Sequence, residues 1–139
     1  MKKLFMIAAI ALIAVACNKN QKAVKKLEGN WNATEFMVTD GEFTVDYLAF
    51  GFTIQMIFDG CKLKNDEVCN MTTTITFDGE TETEASVYRV TNDGERLEQK
   101  ENLTATSLET IDIVELTKTS LKLVLVEDET TTNITLEKQ

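Results

Sequence analysis

Through most of the chain, polar and apolar side chains alternate with a period of two. Thr72, Thr74 and Thr76 interleave with Thr73, Ile75 and Phe77; Thr53, Gln55 and Ile57 interleave with Ile54, Met56 and Phe58; Leu121, Leu123 and Leu125 are separated by Lys122 and Val124. Successive side chains of an extended strand point to opposite faces, so this alternation marks half-buried strands. The chain holds 20 Thr, a β-branched residue that favours strands. No window of comparable length follows a helical period. The pattern predicts strands over 30–38, 43–48, 52–58, 70–77, 84–91, 95–101, 109–116, 120–127 and 130–137. A helical turn is an alternative for 47–51, where Gly51 interrupts an apolar run.

Turn chemistry agrees. Asp-Gly recurs at Asp40-Gly41, Asp59-Gly60, Asp78-Gly79 and Asp93-Gly94, and glycine supplies the positive φ that tight hairpins demand. Eight or nine short strands joined this way make an all-β antiparallel up-and-down meander, either stacked as a sandwich or closed as a barrel. Closure removes the unpaired edges that invite aggregation.

The first residues follow a different rule. Met1-Lys2-Lys3 precedes an apolar run over 4–15 and then Ala16-Cys17. A positive start, a short apolar stretch and small residues before a cleavage point describe an export signal. The run is too short for a bilayer span, which needs about 20 residues. The ending Ala14-Val15-Ala16-Cys17 resembles the lipobox of bacterial lipoproteins, although Ala14 stands where Leu is usual. That resemblance implies a signal peptide over 1–16, diacylation of Cys17, and a membrane anchor made of acyl chains, each buried methylene contributing about 0.8 kcal/mol. The stretch 18–26 is polar and carries four Lys, and we read 17–26 as a lipidated flexible tether. Some lipoproteins of Bacteroidetes carry an acidic patch just after the Cys that is associated with surface export; the basic stretch here favours the periplasmic face of the outer membrane.

Composition narrows the chemistry. The full chain has 14 basic and 23 acidic residues, so losing Lys2 and Lys3 leaves 12 against 23, a charge of −11. An acidic domain has no basic stripe for phosphates, which disfavours nucleic acid as a partner, and it is repelled by anionic lipid, leaving membrane contact to the acyl anchor. The absence of His removes imidazole-based catalysis and His-ligated zinc. No catalytic residues, metal site or cofactor is expected. Glu80, Glu82 and Glu84 share one strand face; they are read as a solvated, edge-protecting acidic face rather than as a calcium site. Cys61 and Cys69 flank a short loop containing Asn65-Asp66. In an exported chain this spacing predicts a structural disulfide, contributing about 2.5 kcal/mol by loop entropy. A redox pair would have Cys-X-X-Cys spacing.

Leu27-Glu28-Gly29-Asn30-Trp31, opening the first strand, is similar to the Gly-X-Trp start of lipocalins. The segments Ile113-Val114-Glu115-Leu116-Thr117, Leu121-Lys122-Leu123, Thr130-Thr131-Thr132 and Leu136-Glu137-Lys138 resemble the closing hairpin of small lipocalin-like lipoproteins of Bacteroidetes. The resemblance covers 27–139 and implies a barrel of about eight strands, with Gly29 and Trp31 closing one end. Lipocalins cover that Trp with an Arg from the last strands. Here the Arg residues are Arg89 and Arg96, so Lys118 or Lys122 is expected over the ring.

Phe43, Tyr47, Phe50, Phe52 and Phe58 cluster in adjacent predicted strands. They either fill the core or line an apolar cup, since a barrel of about eight strands is just wide enough to be packed or to hold one small ligand. A small apolar or amphipathic ligand would then touch Tyr47, Phe50, Phe52 and Tyr88. A filled barrel would instead suit an accessory or inhibitory module that binds an envelope protein through an outer face or a rim loop such as 62–68. A cavity of several hundred cubic ångströms separates the two readings.

Overall fold

The computed structural model describes residues 19–62 and 67–139. The signal peptide at 1–16, Cys17, and the tip of the disulfide loop with its Asn65-Asp66 turn lie outside the described residues. Helix α1 (residues 19–27) leads into nine strands: β1 (Gly29–Asp40), β2 (Phe43–Asp46), β3 (Thr53–Phe58), β4 (Cys69–Phe77), β5 (Glu80–Thr91), β6 (Arg96–Lys100), β7 (Glu109–Leu116), β8 (Ser120–Glu127) and β9 (Thr130–Lys138). Each matches a predicted strand, with β5 starting four residues early. A 3₁₀ turn, Leu48–Phe50, stands where the helical turn was the alternative reading.

From β3 to β9 each strand pairs with the next, and β1 pairs with both β3 and β9, all antiparallel, closing a barrel of β1 and β3–β9. The extra strand is β2. It pairs with Met37–Asp40 of β1, along the edge whose first residues, Gly29–Asn32, pair with β3. At Asp78-Gly79 both residues take positive φ, a two-residue hairpin joining Phe77 to Glu80. Asp59-Gly60 departs from the expected hairpin. It opens the longer connection that ends in the Cys61–Cys69 disulfide, with Cα atoms 5.4 Å apart.

Strict alternation alone does not give this interior. Register shifts in β1 between Ala33 and Glu35 and in β7 between Ile113 and Glu115 each insert one residue. These bulges switch the inward parity, so that Trp31 and Phe36 both face the lumen.

Residues 19–26, expected as tether, are a correction. With Leu27 they form a helix whose Ala23, Val24 and Leu27 are buried against one end of the barrel, so the folded domain includes them. The nine described helical residues would not hold a helix alone in water; packing supplies the stability. Asn20 Oδ1 accepts the Gly94 N–H at 2.8 Å, and Gln21 Nε2 donates to the Cys61 carbonyl at 2.9 Å.

The last carbonyls of α1 are met by the barrel. Trp31, fully buried, donates its indole N–H to the Leu27 carbonyl at 2.6 Å. Lys138 Nζ donates to the Lys26 carbonyl at 2.9 Å and lies 5.1 Å from the Trp31 ring centre. The cation over the ring is therefore Lys138, not Lys118 or Lys122, because Lys138 is the cross-strand partner of Trp31. Lys122 has outward parity and pairs with Glu115 at 3.7 Å. Gly29 is needed beside them: at φ 129° it is outside ordinary L-residue space, and a Cβ there would stand 3.0 Å from Lys138 Cε.

Truncating Trp31 to Ala is expected to cost about 3–5 kcal/mol in urea unfolding. Lys138→Met, which leaves the stem over the ring but removes the ammonium, should cost about 1 kcal/mol. An unchanged unfolding midpoint in either variant would contradict this account of the closed end.

Candidate functional site

The barrel interior divides into two unlike halves. At the α1 end, Val24, Leu27, Trp31, Phe58, Tyr88, Leu97, Leu121 and Leu136 pack without exposure above 1%. Phe58 meets Tyr88 edge-on at 5.2 Å, and the Tyr88 hydroxyl donates to the Asp59 carbonyl at 2.8 Å. Burial, helped by the Asp59 and Glu28 carboxylates, pushes the Tyr88 phenol far upward, so it stays a donor.

The other half is hollow. A cavity of about 320 Å³ lies above Phe58, Met71, Leu97 and Leu123, with Phe36, Ile54, Met56, Ile111, Leu125 and Ile134 in its walls. Five polar side chains also reach it: Thr73, Glu84, Gln99, Glu109 and Thr132. Gln99 is occupied, donating to the buried Ser86 hydroxyl at 3.2 Å. The two carboxylates have no ion-pair partner among the described residues. Among those residues no group of three His, Cys, Asp or Glu is placed to hold a metal.

The aromatic residues singled out in the sequence separate. Tyr47 and Phe52 belong to a row along the side of the mouth where β1 parts from β3. The row runs Phe36 to Tyr47 (5.2 Å), Tyr47 to Phe52 (5.4 Å, edge-on) and Phe52 to Phe77 (4.2 Å, stacked). Backbone bonds hold it in place, with Tyr47 N–H donating to the Phe36 carbonyl at 3.0 Å and Phe52 N–H to the Tyr47 carbonyl at 3.3 Å. Phe50 and Phe43 stand outside the cavity at 67% and 79% exposure, and Tyr88 lies below it in the packed end. Phe36, Met56, Leu125 and Ile134, on the wall, did not stand out in the sequence, because only closure and the β1 bulge decide which parity is inner.

Carboxylates gather at the open end. Glu84 and Glu109 are on the cavity wall, and Glu80 and Glu82 share the inward parity of Glu84 on β5. Burial first, then the Glu127 and Glu84 carboxylates, raise the Glu109 carboxyl above its usual range. A carboxyl raised in the folded state binds its proton more tightly there than in the unfolded chain. Its ionisation therefore lowers stability as pH rises from the ordinary carboxylate value through the raised one. Glu109→Gln is expected to raise the melting temperature near neutral pH. The gain over the native chain should shrink as pH falls through that window, read by thermal melts across pH; a gain constant with pH would count against this electrostatic cause.

No protein-family model and no curated protein matches the chain. Solved structures do. A redesigned β barrel superimposes with a TM-score of 0.52 at 14% identity, covering 84% of this chain and 95% of that one. The bovine odorant-binding protein in complex with undecanal superimposes with a TM-score of 0.50 at 16% identity, covering 82% of this chain and 72% of that one. At such identities the likeness concerns the fold alone, and the fold is lipocalin-like.

Proposed function

We propose that this chain is a lipid-anchored envelope protein whose barrel, without catalytic function, holds a small apolar or amphipathic molecule in its open half. The observation that carries the reading is the cavity of about 320 Å³, apolar in most of its lining and floored by a packed core. That volume is within the range of small-molecule sites. A barrel serving only as a protein-binding module would have no reason to keep such a hollow, which costs packing contacts. The bovine odorant-binding protein, of like fold, was solved with undecanal, a linear apolar chain with one polar end.

Anchoring through Cys17 fits the same geometry. The described chain starts at Lys19, whose carbonyl lies against Gly94 at the closed end, and two residues span at most about 7 Å. Acyl chains on Cys17 would therefore hold the closed end at the bilayer and turn the mouth away from it. Charge supports that orientation. Lys19, Lys22, Lys25 and Lys26 are exposed on α1, so the acidic domain turns its basic end toward anionic headgroups. The basic stretch after the Cys supports the periplasmic face of a bacterial outer membrane.

Filling the cup should stop binding without unfolding the domain. Leu125→Trp is expected to reduce uptake of a fluorescent apolar probe at least about tenfold with far-ultraviolet circular dichroism unchanged, whereas Phe50→Ala, outside the cavity, should leave uptake as it was. Undiminished uptake by a folded Leu125→Trp protein would remove the cavity from the reading. Cys17→Ala should abolish palmitate labelling and move the protein from the membrane to the soluble fraction; continued labelling would refute the anchor.

A further inference from the structure

The charge of the mouth is one-sided. The turns that surround it, 40–43, 46–52, 78–80 and 127–130, together with Glu109 at the start of β7, contain Asp40, Glu42, Asp46, Asp78, Glu80, Glu109, Glu127, Asp128 and Glu129 and no Lys or Arg, whereas 101–104 lies against Asn70, Ala85 and Val87 on the outer wall. Lys100, which ends β6, has the outward parity, since Leu97 and Gln99 face the cavity. Two of the carboxylates, Glu84 and Glu109, reach the wall of the hollow itself, directly above apolar side chains. The ion pairs of the described chain lie elsewhere, at Arg89–Glu98, Arg96–Asp112 and Lys122–Glu115. An apolar wall costs a carboxylate part of its hydration, and like charges beside it add repulsion. A cation held there would relieve both. An anionic or carboxylate-headed molecule would be repelled at the point where its head must sit.

We infer that the ligand of this cup is a cationic amphiphile, an apolar chain or ring bearing an ammonium group, with its tail against Met56, Met71 and Ile134 and its head between Glu84 and Glu109. The inference rests on the carrier reading above and adds the chemistry of the head group. A single positive charge between the half-buried Glu109 carboxylate and the exposed Glu84 carboxylate gains more than it would in bulk water, and the gain is reduced by salt.

The test compares one tail with three heads. Decyltrimethylammonium, decanol and decanoate are titrated into residues 18–139 by calorimetry at neutral pH, each below its micelle concentration. Binding of the ammonium at least about tenfold tighter than decanol, with decanoate weakest, is the expected order, and the ammonium-to-decanol ratio should fall at high salt. In Glu84→Gln/Glu109→Gln the ratio should collapse toward one; because it is measured within one variant, a general loss of stability does not imitate it. Equal affinity for ammonium and decanol, or a preference that survives the double substitution, would overturn the inference while leaving the carrier reading standing. Absence of binding by all three would overturn the carrier reading and the inference with it.

Discussion

Trp31 is the residue on which the closed end is assembled. Its ring lies between the barrel wall and α1, its indole N–H holds the Leu27 carbonyl, and Lys138 covers its face while reaching the Lys26 carbonyl. One side chain thus joins the first strand, the last strand and the helix. The described helical stretch, 19–27, has too little length for independent stability, and a barrel with an open bottom would let water into its core. Each defect is remedied by the other through this contact. Gly29 belongs to the same arrangement, since its φ of 129° is one that L side chains rarely adopt and a Cβ there would press on the Lys138 stem.

With one end sealed by packing, the other is free to remain hollow. Core residues without exposure gather in the closed half, where they supply stability, while the open half gives up contacts to keep its cavity. The carboxylates continue the division: Glu84, Glu109 and Glu127 gather toward the mouth, and the proton affinity of Glu109 is raised first by its burial and then by those neighbours. Binding regions commonly retain such unfavourable local electrostatics, because the interaction that relieves them arrives with the ligand.

Much of this was legible in the chain. Period-two alternation and Asp-Gly turns located the nine strands of the described residues, the Cys61–Cys69 bond followed from its spacing and from the expectation of an export signal, and Gly29-Asn30-Trp31 marked the closing strand. What escaped depends on tertiary geometry. The Ala23, Val24 and Leu27 stripe is too short to read as a helix until a barrel end is there to cover it. Lys138 is over a hundred residues from Trp31, and only the β1–β9 register makes them neighbours. Glu80, Glu82 and Glu84 share a face in either account, but alternation does not say whether that face is lumen or solvent. The bulge after Ala33 has no marker in the sequence, yet it brings Phe36 rather than Glu35 to the cavity.

The acidic rim also governs how separate molecules meet. Phe43, Phe50 and Phe77 leave aromatic surface uncovered near the mouth, which on a neutral protein would favour end-to-end contact between copies. A ring of carboxylates of one sign on every copy makes that approach repulsive. The rim therefore acts as a colloidal spacer, allowing a sticky opening to stand at high local density without aggregating, an effect that protonation or concentrated salt would weaken.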